Sequence, residues 1–153
     1  MYTELTPDQL FTWAGQAVFY GWLILIFLPR IKTLFFIPQY LIPITIGLLY
    51  SGLMLAHYSN SDGGFGSIAH VRILFESDFI LLAGWVHYLA FDLFVGAWIA
   101  VKADAIGLTR LIQAPILLAT YMFSPIGLVL FLSIRVIFTA KDSSKNTENT
   151  HVS

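Results

Sequence analysis

The 153-residue chain contains no cysteine, which excludes disulfides, cysteine-ligated iron–sulfur clusters and thiol catalysis. Charge is nearly as scarce: 11% of residues are Asp, Glu, Lys or Arg, and the formal net charge is -1. No basic field argues for nucleic acid, and no acidic tract argues for a basic partner. The four histidines form no HxxxH or HExxH spacing, so no metal motif is present and no cofactor is expected. Gly63-Gly-Phe-Gly66 follows no strand and lacks a Gly-Lys-Ser/Thr ending, so it reads as a flexible linker and not a phosphate loop. What the chain has in abundance is apolar surface. It is 58% hydrophobic with a mean hydropathy of +0.78, and its few charges fall between apolar runs of about 20 residues, the length that crosses hydrocarbon. The expected fold class is therefore all-α: an integral membrane bundle of four transmembrane helices, with the lipid bilayer as principal partner. One membrane domain over 1–139 is expected.

Thr6-Pro7-Asp8 reads as a helix start, with Thr6 as cap and Asp8 favourable to the helix dipole. The residues before it lack the basic start of a secretory signal, so the first apolar segment is expected to be retained. The first span covers about Gln9 to Leu28 and ends at Pro29-Arg30-Ile-Lys32. Ile31 to Ile37 is an apolar run too short to cross alone, and Pro38 is expected to begin the next segment. The second span runs from about Gln39 to Tyr58, where Gly47, Ser51 and Gly52 offer room for a neighbouring backbone. A turn-rich loop over 59–66 precedes Ser67 to Glu76, whose apolar residues suit a short amphipathic interfacial helix. The third span is about Asp78 to Val101. The fourth lies within Arg110 to Phe138, with Pro115 and Pro125 expected to kink or shorten it. A disordered polar tail is expected over 140–153. Lys and Arg divide evenly between the two sides; the first span, with two positive charges at its end and none at its start, favours both termini outside.

The residues that could carry chemistry centre on Trp85 to Val101, because His87 and Asp92 interrupt that apolar run. A carboxylate at the centre of a membrane helix costs roughly 2.5 to 3.5 kcal/mol on insertion-based scales, so such residues usually face protein or water. At about 100° per residue, Trp85, Tyr88, Asp92 and Gly96 share one face and His87, Phe91, Phe94 and Trp98 another. Asp92 reads as an acid, base or proton carrier with Tyr88 one turn away, or as a structural clasp between helices. The same membrane end should receive Trp13 and Gln16, His57 and Tyr58, the Arg72 to Asp78 segment including Glu76, and Arg135. Ionisable groups gathered at one level are candidates for proton transfer or ligand binding. Each also has a plainer reading: His57 and His70 as polar-rim histidines, and Arg135 as a side chain snorkelling to headgroups.

His87-Tyr-Leu-Ala-Phe-Asp-Leu-Phe-Val-Gly96 followed by Trp98-Ile99, together with Gln113-Ala-Pro115 and Ser124-Pro-Ile-Gly127 followed by Arg135, resembles the membrane family named after the plant abscisic-acid-deficiency protein number four. The resemblance covers essentially all four spans. It implies a bacterial-type member in an inner membrane, and a carotenoid-related role like that of the neoxanthin-forming plastid proteins. A 5,6-epoxy xanthophyll would be isomerised to an allenic product, with Asp92 and His87 as acid and base and a carotenoid as lipophilic partner. Two departures are visible: Ala97 stands where the plant form has Arg, and Ser124 where Gly often precedes Pro-x-Gly. Any activity that depends on that arginine is in doubt here. A non-catalytic membrane scaffold, able to oligomerise, and a small proton-coupled transporter are the alternatives from other classes.

Overall fold

A computed structural model describes the backbone of residues 5–150 and the side chains of residues 5–138. The described residues form six helices and no strand: α1 (Pro7–Phe27), α2 (Lys32–Asn60), α3 (Ile68–Leu74), α4 (Asp78–Ala105), α5 (Arg110–Met122) and α6 (Ser124–Thr150). They divide into two compact units, Met1–Phe94 and Val95–Ser153, and α4 runs through both. The side chains of the polar tail expected over 140–153 lie outside those described.

α1 begins as its sequence requires. Gln9 N donates to Thr6 Oγ1 at 3.3 Å and Thr6 N donates to Gln9 Oε1 at 3.1 Å, a reciprocal cap that satisfies two otherwise orphan amides. The second span corrects the expected boundary. The run from Ile31 to Ile37 is not separate; it supplies the first turns of α2, which is helical for 29 residues. Pro38 would break an ordinary α-helix, because it lacks an N–H and its ring crowds the carbonyl four residues back. The helix instead widens over Ile37–Leu41 into a π turn, where Ile42 N donates to Ile37 O, five residues back. The wider turn takes the ring without ending the helix.

The Gly-rich loop is likewise more ordered than a flexible linker. Gly64 N donates to His70 O at 3.1 Å and Ser61 N to Tyr58 O at 3.2 Å. A side chain at Gly63 would collide with Leu74 N and Cα. The loop thus lies against α3, whose start is capped by Ser67 accepting from His70 N. On α3, Leu74 is buried but Ile68 is 82% exposed, so the expected apolar face is only partly covered.

α1, α2 and α4 are long and apolar enough to cross a membrane. The stretch Arg110–Phe138, expected to hold a single fourth span, instead forms two helices, neither of which is among the three long and apolar enough to cross. Phe123 leaves the helical region with φ -149° and ψ 80°, and Pro125 sits in the first turn of α6, where a missing N–H costs nothing. Pro115, by contrast, is accommodated inside α5. α5 has 13 residues, about 20 Å of helix against the roughly 30 Å of hydrocarbon. α6 packs on it so closely that a Cβ at Gly127 would meet the Thr120 backbone. A clasp holds the preceding turn: Gly107, at φ 68°, ends α4 in the left-handed region. The buried Gln113 Nε2 then donates to Asp104 Oδ1 at 2.8 Å and Leu108 O at 2.7 Å.

Within the spans, hydroxyls are satisfied internally. Thr45 Oγ1 donates to Leu41 O and Ser51 Oγ to Gly47 O, each four residues back, as an apolar surround demands. Large apolar side chains such as Leu48, Leu55 and Phe27 point outward, which suits lipid and not water.

Candidate functional site

α4 carries both polar residues of interest and turns them apart. Residues five apart on a helix lie about 140° from each other. Asp92 is accordingly buried, at 6% exposure, and it has an interaction partner within the chain. Tyr88 is half-buried one turn before it, and Gly96 is buried one turn after. The buried residue beside Asp92, Leu93, reaches across to α1, where a Cβ at Gly21 would stand 2.8 Å from Leu93 Cδ2. His87 faces the other way and is exposed.

His87 opens onto a cleft of about 260 Å³ lined by Tyr50, Met54, Phe65, Leu74, Phe75, Ile80 and Gly84. Its ring lies 5.2 Å from that of Tyr50 and 4.6 Å from that of Phe91. Gly84 matters locally, because a side chain there would strike the Phe75 ring. Phe65, brought over by the loop and stacked 5.8 Å from Tyr58, closes one end. A second cleft of about 380 Å³ continues between the same two helices, lined by Gln39, Tyr40, Pro43, Ile44 and Gly47 of α2 and by Ala90, Phe91 and Phe94 of α4. Along α2 the lining residues run 54, 50, 47, 43, 39; along α4 they run 80, 84, 87, 90, 94. The two clefts are therefore successive stretches of one groove between antiparallel helices. At about 1.5 Å per residue it is roughly 20 Å long. The His87 and Phe91 rings stand at its middle.

The remaining expected residues do not all gather there. Trp85 and Asp78 line a separate cleft of about 400 Å³ with Pro7, Asp8, Phe11, Leu81 and Leu82. Trp85 stacks on Phe11 at 5.6 Å and lies 5.6 Å from Tyr88. His57 stacks on Phe79 at 4.2 Å with rings 2° from parallel, a packing role. Gln16 and Glu76 are exposed and line none of these three clefts. Arg135 belongs to α6, in the second unit, and is half-buried. Asp92 lines none of the three clefts either, so the acid and base expected as a pair do not share one. Tyr50, Phe65 and Gln39 are the residues that sequence reasoning missed. Tyr50 is one of seven tyrosines, and nothing in its local pattern distinguishes it.

Among the described residues, no group of three or more His, Cys, Asp or Glu could hold a metal ion. A groove of this kind can hold an elongated apolar molecule. It can present to that molecule one imidazole, His87, two phenols, Tyr40 and Tyr50, and the Gln39 amide. A protein-family model described as ABA DEFICIENT 4-like matches residues 9–131. No curated protein and no solved structure matches the chain.

Proposed function

Because the chain belongs to the ABA DEFICIENT 4-like family, we propose that it is a multi-pass membrane protein that holds an elongated isoprenoid of carotenoid type in the α2–α4 groove and isomerises it by proton transfer at His87. The observation that carries this reading is His87 and Tyr50 side by side in the smaller cleft, next to where the larger one begins, in a groove lined mostly by apolar side chains. Ring-opening of a 5,6-epoxide to an allenic alcohol is redox-neutral. A base removes a proton from the chain carbon next to the ring, the electron pair forms the new double bond, the carbon–oxygen bond breaks, and an acid protonates the oxygen. His87 is assigned the base and the Tyr50 hydroxyl the acid. Exclusion of water by Phe65, Phe75 and Phe91, which line the groove, would keep the epoxide from being hydrolysed to a diol.

The test is incubation of the purified protein in detergent with violaxanthin, with the products separated by chromatography. Formation of an isomer of unchanged mass is expected. Absence of any product, under conditions where a plant relative works, would count against the reading. The buried position of Asp92 favours a second reading for that residue, and in its strongest form for the protein. As a clasp between helices, it would serve a membrane scaffold that turns nothing over. We place the chain in a bacterial inner membrane with both termini outside, which requires a fourth crossing within Arg110–Phe138; cysteine labelling from each side of intact membranes checks that.

A further inference from the structure

We propose that the cleft between the starts of α1 and α4 is a phospholipid site, which takes the ammonium of an ethanolamine headgroup between Asp8 and Asp78 and lays the acyl chains along Phe11 and Leu81. The proposal stands apart from the α2–α4 groove and from the reading given to it. The two helices run parallel here, since Phe11 stacks on Trp85 and, ten residues further along α1, Gly21 faces Leu93. Their first turns therefore lie side by side at one end of the bundle. The cleft between them measures about 400 Å³, and its lining includes Phe11, Leu81, Leu82 and Trp85, with Asp8 and Asp78 at the helix starts.

The lining is layered. Asp8 stands one turn before Phe11 and Asp78 two turns before Trp85, so the carboxylates lie roughly 5 to 10 Å nearer the helix ends than the stacked rings. Phe11, Leu81 and Trp85 each keep an exposed face. Charge at the outer edge, aromatic rings next and aliphatic surface beside them is the order of a membrane–water interface, and an amphiphile has the same order. Charge then decides the headgroup. Among the described residues neither side-chain carboxylate has a hydrogen bond or an ion pair. Each complements the positive end of its own helix, which uses its charge but leaves its lone pairs open. Together they repel an anionic headgroup. A primary ammonium brings one positive charge and three donors to that set, and its methylenes can lie against the rings, whose faces attract a cation. A bare divalent cation is a poorer match, because calcium or magnesium takes six or more oxygen ligands and the rest of the lining is hydrocarbon.

The test uses the full chain in detergent and two lipids with the same acyl chains, phosphatidylethanolamine and its N-acetyl derivative, which lacks the ammonium; retained lipid is read by native mass spectrometry. The wild type is expected to hold the first about fivefold more tightly, the scale of partly exposed ion pairs. Asp8→Asn combined with Asp78→Asn keeps both shapes and should bring the preference close to one. If that chain does not accumulate, Asp8→Asn alone, at an exposed position, should at least halve it. A wild type that holds both lipids equally, or a preference that survives these substitutions, overturns the site. Free phosphoethanolamine in excess should leave the bound lipid in place; if it strips the lipid, the apolar lining holds no chain and a phospholipid is not the occupant.

Discussion

The two faces of α4 put polar residues to opposite uses. On one face Asp92 is buried beside Leu93, and Leu93 is pressed on the backbone of α1 at Gly21. On the other, His87 is exposed beside the rings of Tyr50 and Phe91, and the adjoining cleft reaches Gly47, where a side chain would meet nothing within 4 Å. Both residues are expensive in lipid for the same reason, the loss of hydration. They repay it differently. A closed face can turn a polar group into adhesion between helices, whereas an open face leaves it able to meet something from outside. A lone acid in an apolar helix therefore does not identify a reagent until its face is known.

The largest expected effect separates the faces directly. His87→Ala should lower conversion of an epoxy-carotenoid by at least about 100-fold, the usual scale for one acid–base group, with protein accumulation unchanged because the side chain is exposed. Conversion within threefold of wild type would remove His87 from the chemistry. Next comes the loop that holds Phe65 at the groove's end. Gly63→Ala drives a methyl into the backbone of Leu74, and overpacking of this kind costs about 1 to 3 kcal/mol. A lower thermal midpoint in detergent is expected, and an unchanged one would mean that the loop does not rest on α3.

Much of this was readable beforehand, where the signal was local. The cap at Thr6, the helix of the third span and the separation of His87 from Asp92 all follow from spacing along one helix. The failures have a common cause: each depended on what stood opposite. Gly47 and Gly52 looked like sites of close helix approach, yet a side chain at either would meet nothing within 4 Å, while Gly21 and Gly127 are the tight ones. Proline is ambiguous for a related reason. Pro38 is absorbed by a π turn in a long helix and Pro125 opens a new one, although both interrupt apolar runs. Tyr50 belongs to the site only because α2 and α4 run antiparallel, a fact that no stretch of α2 contains.

A smaller effect is expected on the closed face. Asp92→Asn keeps the shape and weakens the hydrogen bonding, so helix association should fall by roughly 0.6 to 2 kcal/mol, the range for such contacts in membranes. Less protein should accumulate, and each folded molecule should turn over as before. The reverse pattern, normal accumulation with conversion lost, would show that Asp92 is the reagent and that the closed face opens during the reaction.

The smallest effect compares one substitution at two glycines. Alanine is favoured over glycine inside a helix by about 1 kcal/mol, and that gain is available at both positions. At Gly47 nothing opposes it, because the new methyl meets no atom within 4 Å; Gly47→Ala should leave the unfolding midpoint unchanged or slightly raised. At Gly21 the methyl would lie 2.8 Å from Leu93 Cδ2 and 2.9 Å from Ile42 Cδ1. Those are ends of flexible side chains, so they can shift, but the movement consumes the helical gain. Gly21→Ala should therefore melt below Gly47→Ala. Equal midpoints would mean that α1 does not press on α4 beside Asp92, and the distinction between a closed and an open face would lose its footing.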